Sequence, residues 1–203
     1  NSVLERFNKI QADITKQTAS LKETVKIIAV SKTFSIDHIS PLVDEGHTHF
    51  GENKVQEAEK KWSSLKKEKV NLKLHMLGKL QTNKVKKAVS IFDYIHSLDN
   101  IKLADTLKKN EVEMGRKLSY FMQVNFANEK QKLGLSVSDV PSFFEYCKNK
   151  IDLNIVGTMC FPPFETDPEI FFKKAYELNK SLKLNELSMG MSNDYSKAIK
   201  YGT

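Results

Sequence analysis

Seven short apolar runs alternate with amphipathic stretches along this chain, and that alternation restricts the fold more than any single motif. The runs lie at about residues 26–31, 48–50, 71–77, 94–97, 118–124, 153–159 and 186–189. Brief, apolar and bounded by polar turns, they read as strands. Between them the apolar residues recur at helical spacing: Ile39, Leu42 and Val43; Val55, Ala58, Trp62 and Leu65; Ile101, Leu103, Ala104 and Leu107. A leading helix over about residues 2–21 is marked by Leu4, Phe7, Ile10 and Ile14. Start signals support the pattern. Ser35, Asp99 and Asp167-Pro168-Glu169 offer caps, a further helix is predicted over 136–150, and Gly46 offers a stop.

Strands alternating with helices imply a parallel sheet with right-handed crossovers, hence the α/β class. An open doubly wound sheet and a (β/α)8 barrel both satisfy this. No Gly-x-Gly-x-x-Gly follows the first strand, which weighs against a dinucleotide-binding sheet. The sequence ends at Gly202-Thr203, where an eighth strand would be expected. The expected fold is therefore a (β/α)8 TIM-type barrel, with its eighth strand missing from the chain and residues 1–203 forming a single domain.

Composition narrows the classes of function. At 203 residues, 40% hydrophobic and 28% charged, the chain suits a soluble globular protein with a substantial core. Neither a membrane span nor a signal peptide is legible, so a cytoplasmic protein without membrane partners is expected. The net charge of +7 comes almost entirely from lysine, with only Arg6 and Arg116 among 32 basic residues. Lysines such as Lys54, Lys60, Lys61, Lys66, Lys67, Lys173 and Lys174 fall on polar helix faces among glutamates, which argues for a solvated surface and no nucleic-acid partner. Cys147 and Cys160 form neither a metal spacing nor a CxxC pair and are expected to be reduced packing residues. His38, His47, His49, His75 and His96 lack metal-ligand spacing, and a lone histidine on an apolar strand is read as a satisfied core residue.

Three turns at strand ends could carry chemistry. The first strand ends in Ser31-Lys32-Thr33, placing a lysine where α/β folds build their sites. Burying an ammonium is costly, and partial burial near other cations would lower its pKa and free the amine for Schiff-base formation. A side chain that snorkels to solvent is the alternative. Ser188-Met189-Gly190-Met191-Ser192, followed by Asn193 at the expected cap, could offer backbone N–H groups to a phosphate, or could be an ordinary glycine turn. Gly51-Glu52-Asn53 could present an amide to a ligand while Glu52 orders nearby lysines, or could be a simple connecting turn. The segment from Gly78 to Lys84 is equally ambiguous.

Five segments taken in order carry a resemblance: Ala29–Thr33, Phe50–Glu57, His75–Lys84, Lys132-Leu133-Gly134 and Leu187–Ser192. Together they resemble the pyridoxal phosphate homeostasis proteins, the YggS/PROSC family. The resemblance implies a barrel like the N-terminal domain of alanine racemase, with pyridoxal 5′-phosphate held as an internal aldimine on Lys32. It further implies that Asn53 lies against the cofactor and that Ser188, Met189, Gly190 and Ser192 contribute to the phosphate cradle. The family's Arg-Ile-Gly-Thr segment on the eighth strand has no counterpart here, and Leu74 stands where many members carry an aromatic residue. The function implied is reversible cofactor holding without substantial turnover, by a monomer that exchanges cofactor with PLP-dependent or PLP-synthesis enzymes. The alternative is a PLP-dependent amino-acid racemase-like enzyme, whose two-base chemistry needs an opposing acid that alanine racemases take from an additional domain and a dimer partner.

Overall fold

Helix α1 (Val3–Gln17) begins at a capping box in which Ser2 Oγ accepts from the Glu5 N–H and the Glu5 carboxylate accepts from the Ser2 N–H. Two of the helix's orphan donors are thereby satisfied. The expected end at Leu21 lies outside the described residues; α1 closes at Thr18, whose N–H donates to Ile14 O. The protein is described by a computed structural model over residues 2–20, 24–130 and 133–203.

Among the described residues, eight strands follow in chain order: β1 (Ala29–Val30), β2 (His49–Glu52), β3 (Lys73–Met76), β4 (Tyr94–Leu98), β5 (Ser119–Asn125), β6 (Leu135–Ser136), β7 (Asn154–Cys160) and β8 (Glu186–Ser188). Helices α2 (Ile36–Asp44), α3 (Val55–Glu68), α4 (Val85–Ile91), α5 (Ile101–Met114), α6 (Val140–Glu145), α7 (Pro168–Ser181) and α8 (Tyr195–Ile199) alternate with them. All pairings are parallel, in the order β1-β2-β3-β4-β5-β7-β8, with β6 attached only to β5. The short β6 takes Ser136, the first residue of the helix predicted over 136–150, together with Leu135 before it.

The sheet is strongly curved. His96 on β4 and Ser188 on β8 are hydrogen-bonded at 2.6 Å although β5 and β7 lie between their strands. Three strand spacings would separate them by roughly 14 Å in a flat sheet. Only a curled sheet brings them together, which selects the barrel over the open alternative. β1 and β8 are its two edges. The helical layer bridges them, since Gln17 Nε2 donates to Ser196 O at 2.6 Å and Tyr195 Oη to Asp13 at 3.2 Å.

The core lies between the outer face of the sheet and the helices. Phe50, Leu74, Met76, Ile95, Tyr120, Met122 and Val124 point outward from the strands and are buried there. Trp62 of α3 is fully buried against Phe50, their rings 4.7 Å apart. At Gly157 an added Cβ would stand 1.7 Å from Glu186 O, so only glycine permits β7 and β8 to pair.

Three local expectations need correction. The first strand is shorter than the run predicted over 26–31: β1 has two residues, Val30 is 43% exposed and Lys32 is exposed. As an edge strand it has one strand neighbour, β2, among the described residues. Asn100, not Asp99, caps α5, its Oδ1 accepting from the Leu103 N–H at 2.9 Å. Asp99 instead accepts from the Gly134 N–H, tying the end of β4 to the turn before β6. The single helix expected over 136–150 is three pieces, a 3-10 turn, α6 and a π turn over Tyr146–Lys150, with Pro141 in the first turn of α6.

Candidate functional site

Lys32 is held from behind. The last rung between β1 and β2 is Ser31 N–H to Gly51 O at 2.9 Å, after which Thr33 takes a positive φ of 66° and turns the chain. On the outer side of the sheet, Glu52 is fully buried and its Oε1 accepts from Ser31 Oγ (2.7 Å), Lys61 Nζ (2.8 Å) and Trp62 Nε1 (3.0 Å). Lys61 Nζ also donates to Ser31 O and to Glu57 Oε1, which in turn accepts from the Thr33 N–H. Burial works to raise the Glu57 carboxyl, but the Thr33 N–H and Lys61 outweigh it and hold the group below its ordinary value. The peptides on both sides of Lys32 are thus fixed by α3. The Lys32 amine itself has no hydrogen bond or ion pair among the described residues.

Asn53 follows β2 at the same mouth. Backbone contact with the β3 turn sets its place, since a Cβ on Gly78 would stand 2.5 Å from Asn53 O. Its side-chain amide has no partner among the described residues. Gly51 faces the barrel interior, where an added Cβ would meet Leu77 and Ile28.

The other half of the site lies on β8 and the turn after it. Gly190 has φ 97° and packs under α8, where a Cβ would meet Ala198 and Tyr195. The expected cap at Ser192-Asn193 is displaced: Asp194 is the N-cap, and its Oδ1 takes the Met191 N–H at 2.6 Å. The N–H groups of Gly190, Ser192 and Asn193 are left without protein acceptors among the described residues. Met189 packs against the core, and its carbonyl accepts from Thr203 Oγ1 at 2.9 Å.

Ser188 points into the barrel and meets a line of histidines: His96 Nδ1 to Ser188 Oγ at 2.6 Å, His75 Nδ1 to His96 Nε2 at 2.8 Å, His49 Nδ1 to His75 Nε2 at 2.9 Å. Tyr94 stacks on His75 at 4.3 Å and Phe121 on His96 at 4.4 Å. Burial drives His75 well below its ordinary pKa, with His96 and His49 adding to the effect, and lowers His96 to about 3. His49 is lowered by burial and then by Lys26 and His47. These rings are neutral. No cluster among the described residues could hold a metal ion.

The histidine line is the feature that reading each histidine alone missed. Strand alternation carried the signal: Phe50 and Glu52, Leu74 and Met76, and Ile95 and Ser97 face outward, which turns His49, His75 and His96 inward together. The Glu52 reading holds, since it orders Lys61. Lys132 lies outside the described residues. Two surface cavities of about 290 and 270 Å³ are lined by Tyr176, Lys183 and Gly202 and by Leu4, Phe7 and His47, and neither touches Lys32, Asn53 or Ser188.

The model of the alanine racemase N-terminal domain family matches residues 7–200. The chain belongs to that family. Its relatives include the pyridoxal phosphate homeostasis protein of Haemophilus influenzae, 33% identical over 217 aligned residues covering 100% of this chain and 91% of that one. The protein of the same name from Helicobacter pylori is 37% identical and covers 98% and 94%. Among solved structures, PipY of Synechococcus elongatus PCC7942 with PLP bound superposes with a TM-score of 0.80 at 34% identity, covering 94% of each chain. The fold is therefore shared with these relatives over nearly the whole chain.

Proposed function

We propose that this chain binds pyridoxal 5′-phosphate and serves intracellular cofactor homeostasis, with Lys32 as the covalent anchor. The donor set fits the cofactor. Among the described residues, Lys32 offers an amine without a partner to an aldehyde, Asn53 an amide without a partner to the ring, and Ser188, Gly190 and Ser192 a hydroxyl and N–H groups without protein acceptors to a phosphate. Met189 supports that turn through the core. Bound there, the cofactor supplies a reactive aldehyde, which a Schiff-base linkage to Lys32 would mask from other amines. The observation that carries the reading is the lysine itself: α3 fixes both flanking peptides yet leaves the amine unengaged.

A holding role without substantial turnover is the reading we favour, and the bonding of Tyr120, Tyr146 and Tyr195 and the placement of Tyr94 support it. Two-base racemisation needs an acid opposite the lysine. Tyr120, Tyr146 and Tyr195 are each bonded to a carboxylate, and Tyr94 lies at the opposite end of the barrel against His75. Amino-acid racemase-like chemistry remains the second reading, favoured by the family's fold. The holding role makes PLP-dependent enzymes or enzymes of PLP synthesis the exchange partners, in the cytoplasm, with the chain acting as a monomer. No helix among the described residues is long and apolar enough to cross a membrane. Cys147 and Cys160 are buried and free, their thiols pushed up to about 12 by burial, as suits a reducing compartment.

Borohydride reduction of cofactor-loaded protein followed by peptide mapping tests the anchor. One pyridoxyl adduct, on Lys32 and absent from Lys32→Ala, is expected; labelling scattered over surface lysines overturns the assignment. Sustained racemisation of free alanine by the loaded protein would overturn the holding role.

A further inference from the structure

Each of His75 and His96 uses both ring nitrogens within the line from His49 to Ser188. A neutral imidazole carries one proton, so it must donate through one nitrogen and accept through the other. The whole line therefore has two fully bonded arrangements. With every proton on Nδ1, donation runs from His49 through His75 and His96 to Ser188 Oγ. With every proton on Nε2, donation runs the other way, and the Ser188 hydroxyl gives its proton to His96. Any mixed arrangement sets two donors or two lone pairs face to face, a loss of about 1–3 kcal/mol in a dry interior.

Three features keep the line in these two states. Burial holds His75 and His96 neutral, so neither stores an extra proton. At the half-buried His49 end, Lys26, His47 and Lys73 oppose a positive ring, with Asp93 only partly offsetting them. Stacking against Tyr94 and Phe121 fixes the planes of His75 and His96. Switching therefore needs protons to move without the rings turning.

We propose that His49, His75 and His96 are a tautomeric relay that positions the Ser188 hydroxyl as a hydrogen-bond donor to a bound phosphate. An anion beside Ser188 requires an O–H directed at it, which only the Nδ1–H arrangement provides. In the switch, the Ser188 proton passes to His96 Nδ1, the His96 Nε2 proton to His75 Nδ1, and the His75 Nε2 proton to His49 Nδ1. His49 Nε2 releases its proton to solvent, and the Ser188 oxygen takes one up from solvent. One proton enters and one leaves, so the line stays neutral. The three rings are positioning residues, acting through Ser188. This inference rests on the reading of Ser188 as a phosphate contact.

The test is ring-nitrogen NMR of the full chain carrying ¹⁵N-labelled histidine, titrated with inorganic phosphate and separately with pyridoxal phosphate. Binding is followed in parallel by absorbance or calorimetry. The expected result is that His49, His75 and His96 move together to the Nδ1–H form at one midpoint. Ser188→Ala should abolish that response and weaken phosphate about fivefold, the equivalent of one lost hydrogen bond of about 1 kcal/mol. Ser188→Thr should restore both. Ligand binding with unchanged ring nitrogens, or a response at one histidine alone, overturns the relay and leaves the cofactor reading standing. No binding of pyridoxal phosphate overturns the cofactor reading, and the relay with it.

Discussion

At the β1 edge, Lys32 is braced from outside the sheet by charge; at the β8 edge, Ser188 is braced from inside it by uncharged rings. Glu52, Glu57 and Lys61 grip Ser31 and Thr33 from the α3 side. His96 reaches Ser188 across the barrel with His75 and His49 behind it. The difference follows from what each edge has to present. A clamp of carboxylates is tolerable behind the strand, where the sheet separates it from the mouth. The same carboxylates lining the interior would repel a phosphate. Neutral imidazoles give the β8 edge directional bonds without adding an anion.

The contrast breaks most sharply at Glu52. Its Oε1 collects three donors in a fully buried position, and its Oε2 has no partner among the described residues. Glu52→Ala leaves Lys61 charged and 7% exposed without its main partner. Removing one side of such a pair costs about 3–5 kcal/mol. Urea unfolding should show that loss, and labelling at Lys32 should slow because the Ser31–Thr33 turn is released. Unchanged stability together with unchanged labelling would deny the clamp.

Gly157→Ala attacks the other edge. The new methyl cannot fit 1.7 Å from Glu186 O, so β8 must move away from β7. Overpacking of this kind costs about 3 kcal/mol. The sharper outcome is selective. Phosphate affinity should fall while covalent labelling at Lys32 persists, because the α3 clamp does not touch β8. Equal loss of both would mean that the two halves do not stand independently.

Much of this arrangement is legible in the sequence, and the gaps have physical reasons. The seven strands on the path all overlap the predicted runs, β1 with only two of six residues, because short apolar runs between helical periods have few other readings. β6 was missed because Leu135-Ser136 is too short to carry a period. The same logic places Lys32 at a strand end but leaves burial and exposure both open, because burial depends on how many neighbours a strand has, and β1 has one. Glu52 was foreseen as an organiser of lysines, whereas its bond to Trp62 depends on the helix packing. The histidines were judged one at a time, although alternation within three strands already turned them to one face. Cap identity at Asp194 and Asn100 slipped by one or two residues, since neighbouring Asn, Asp and Ser all cap well.

Acid should separate the two edges by pH. In the unfolded chain the histidines titrate near 6.5, while folded His96 titrates at about 3 and His75 well below its ordinary value. Below pH 6.5 the unfolded chain therefore binds protons that the folded chain refuses, and stability falls as pH drops. Each buried histidine contributes about 1.4 kcal/mol per pH unit once well inside that window. Glu57 acts lower: its folded pKa lies below 4.5, so its contribution is present above 4.5 and lost as pH falls through the folded value. Urea midpoints taken from pH 7.5 to 3.5 should begin to fall near 6.5 and fall more steeply below 4.5, where Glu57 adds to the histidines. His96→Phe should lessen the slope by one proton over the whole range below 6.5, whereas Glu57→Gln should lessen it only below 4.5. A single stage beginning only below pH 4.5 would mean that the histidines are not kept neutral by burial.

The smallest effect is expected at Thr203. Its hydroxyl lies within hydrogen-bond distance of Leu187 O at 3.0 Å and Met189 O at 2.9 Å, the carbonyls that flank Ser188. One proton serves two acceptors, so the contact counts as a single shared bond of about 1 kcal/mol. Thr203→Val removes it at nearly constant volume and leaves the histidine line intact. Stability should therefore change by no more than about 1 kcal/mol. Phosphate affinity should fall slightly if the two carbonyls help to hold Ser188 in place. If the histidine line alone fixes the serine, affinity should not move at all, and the internal brace is then the stronger of the two. Calorimetric titration of Thr203→Val with inorganic phosphate distinguishes these outcomes, because the substitution touches the β8 edge without touching any ring.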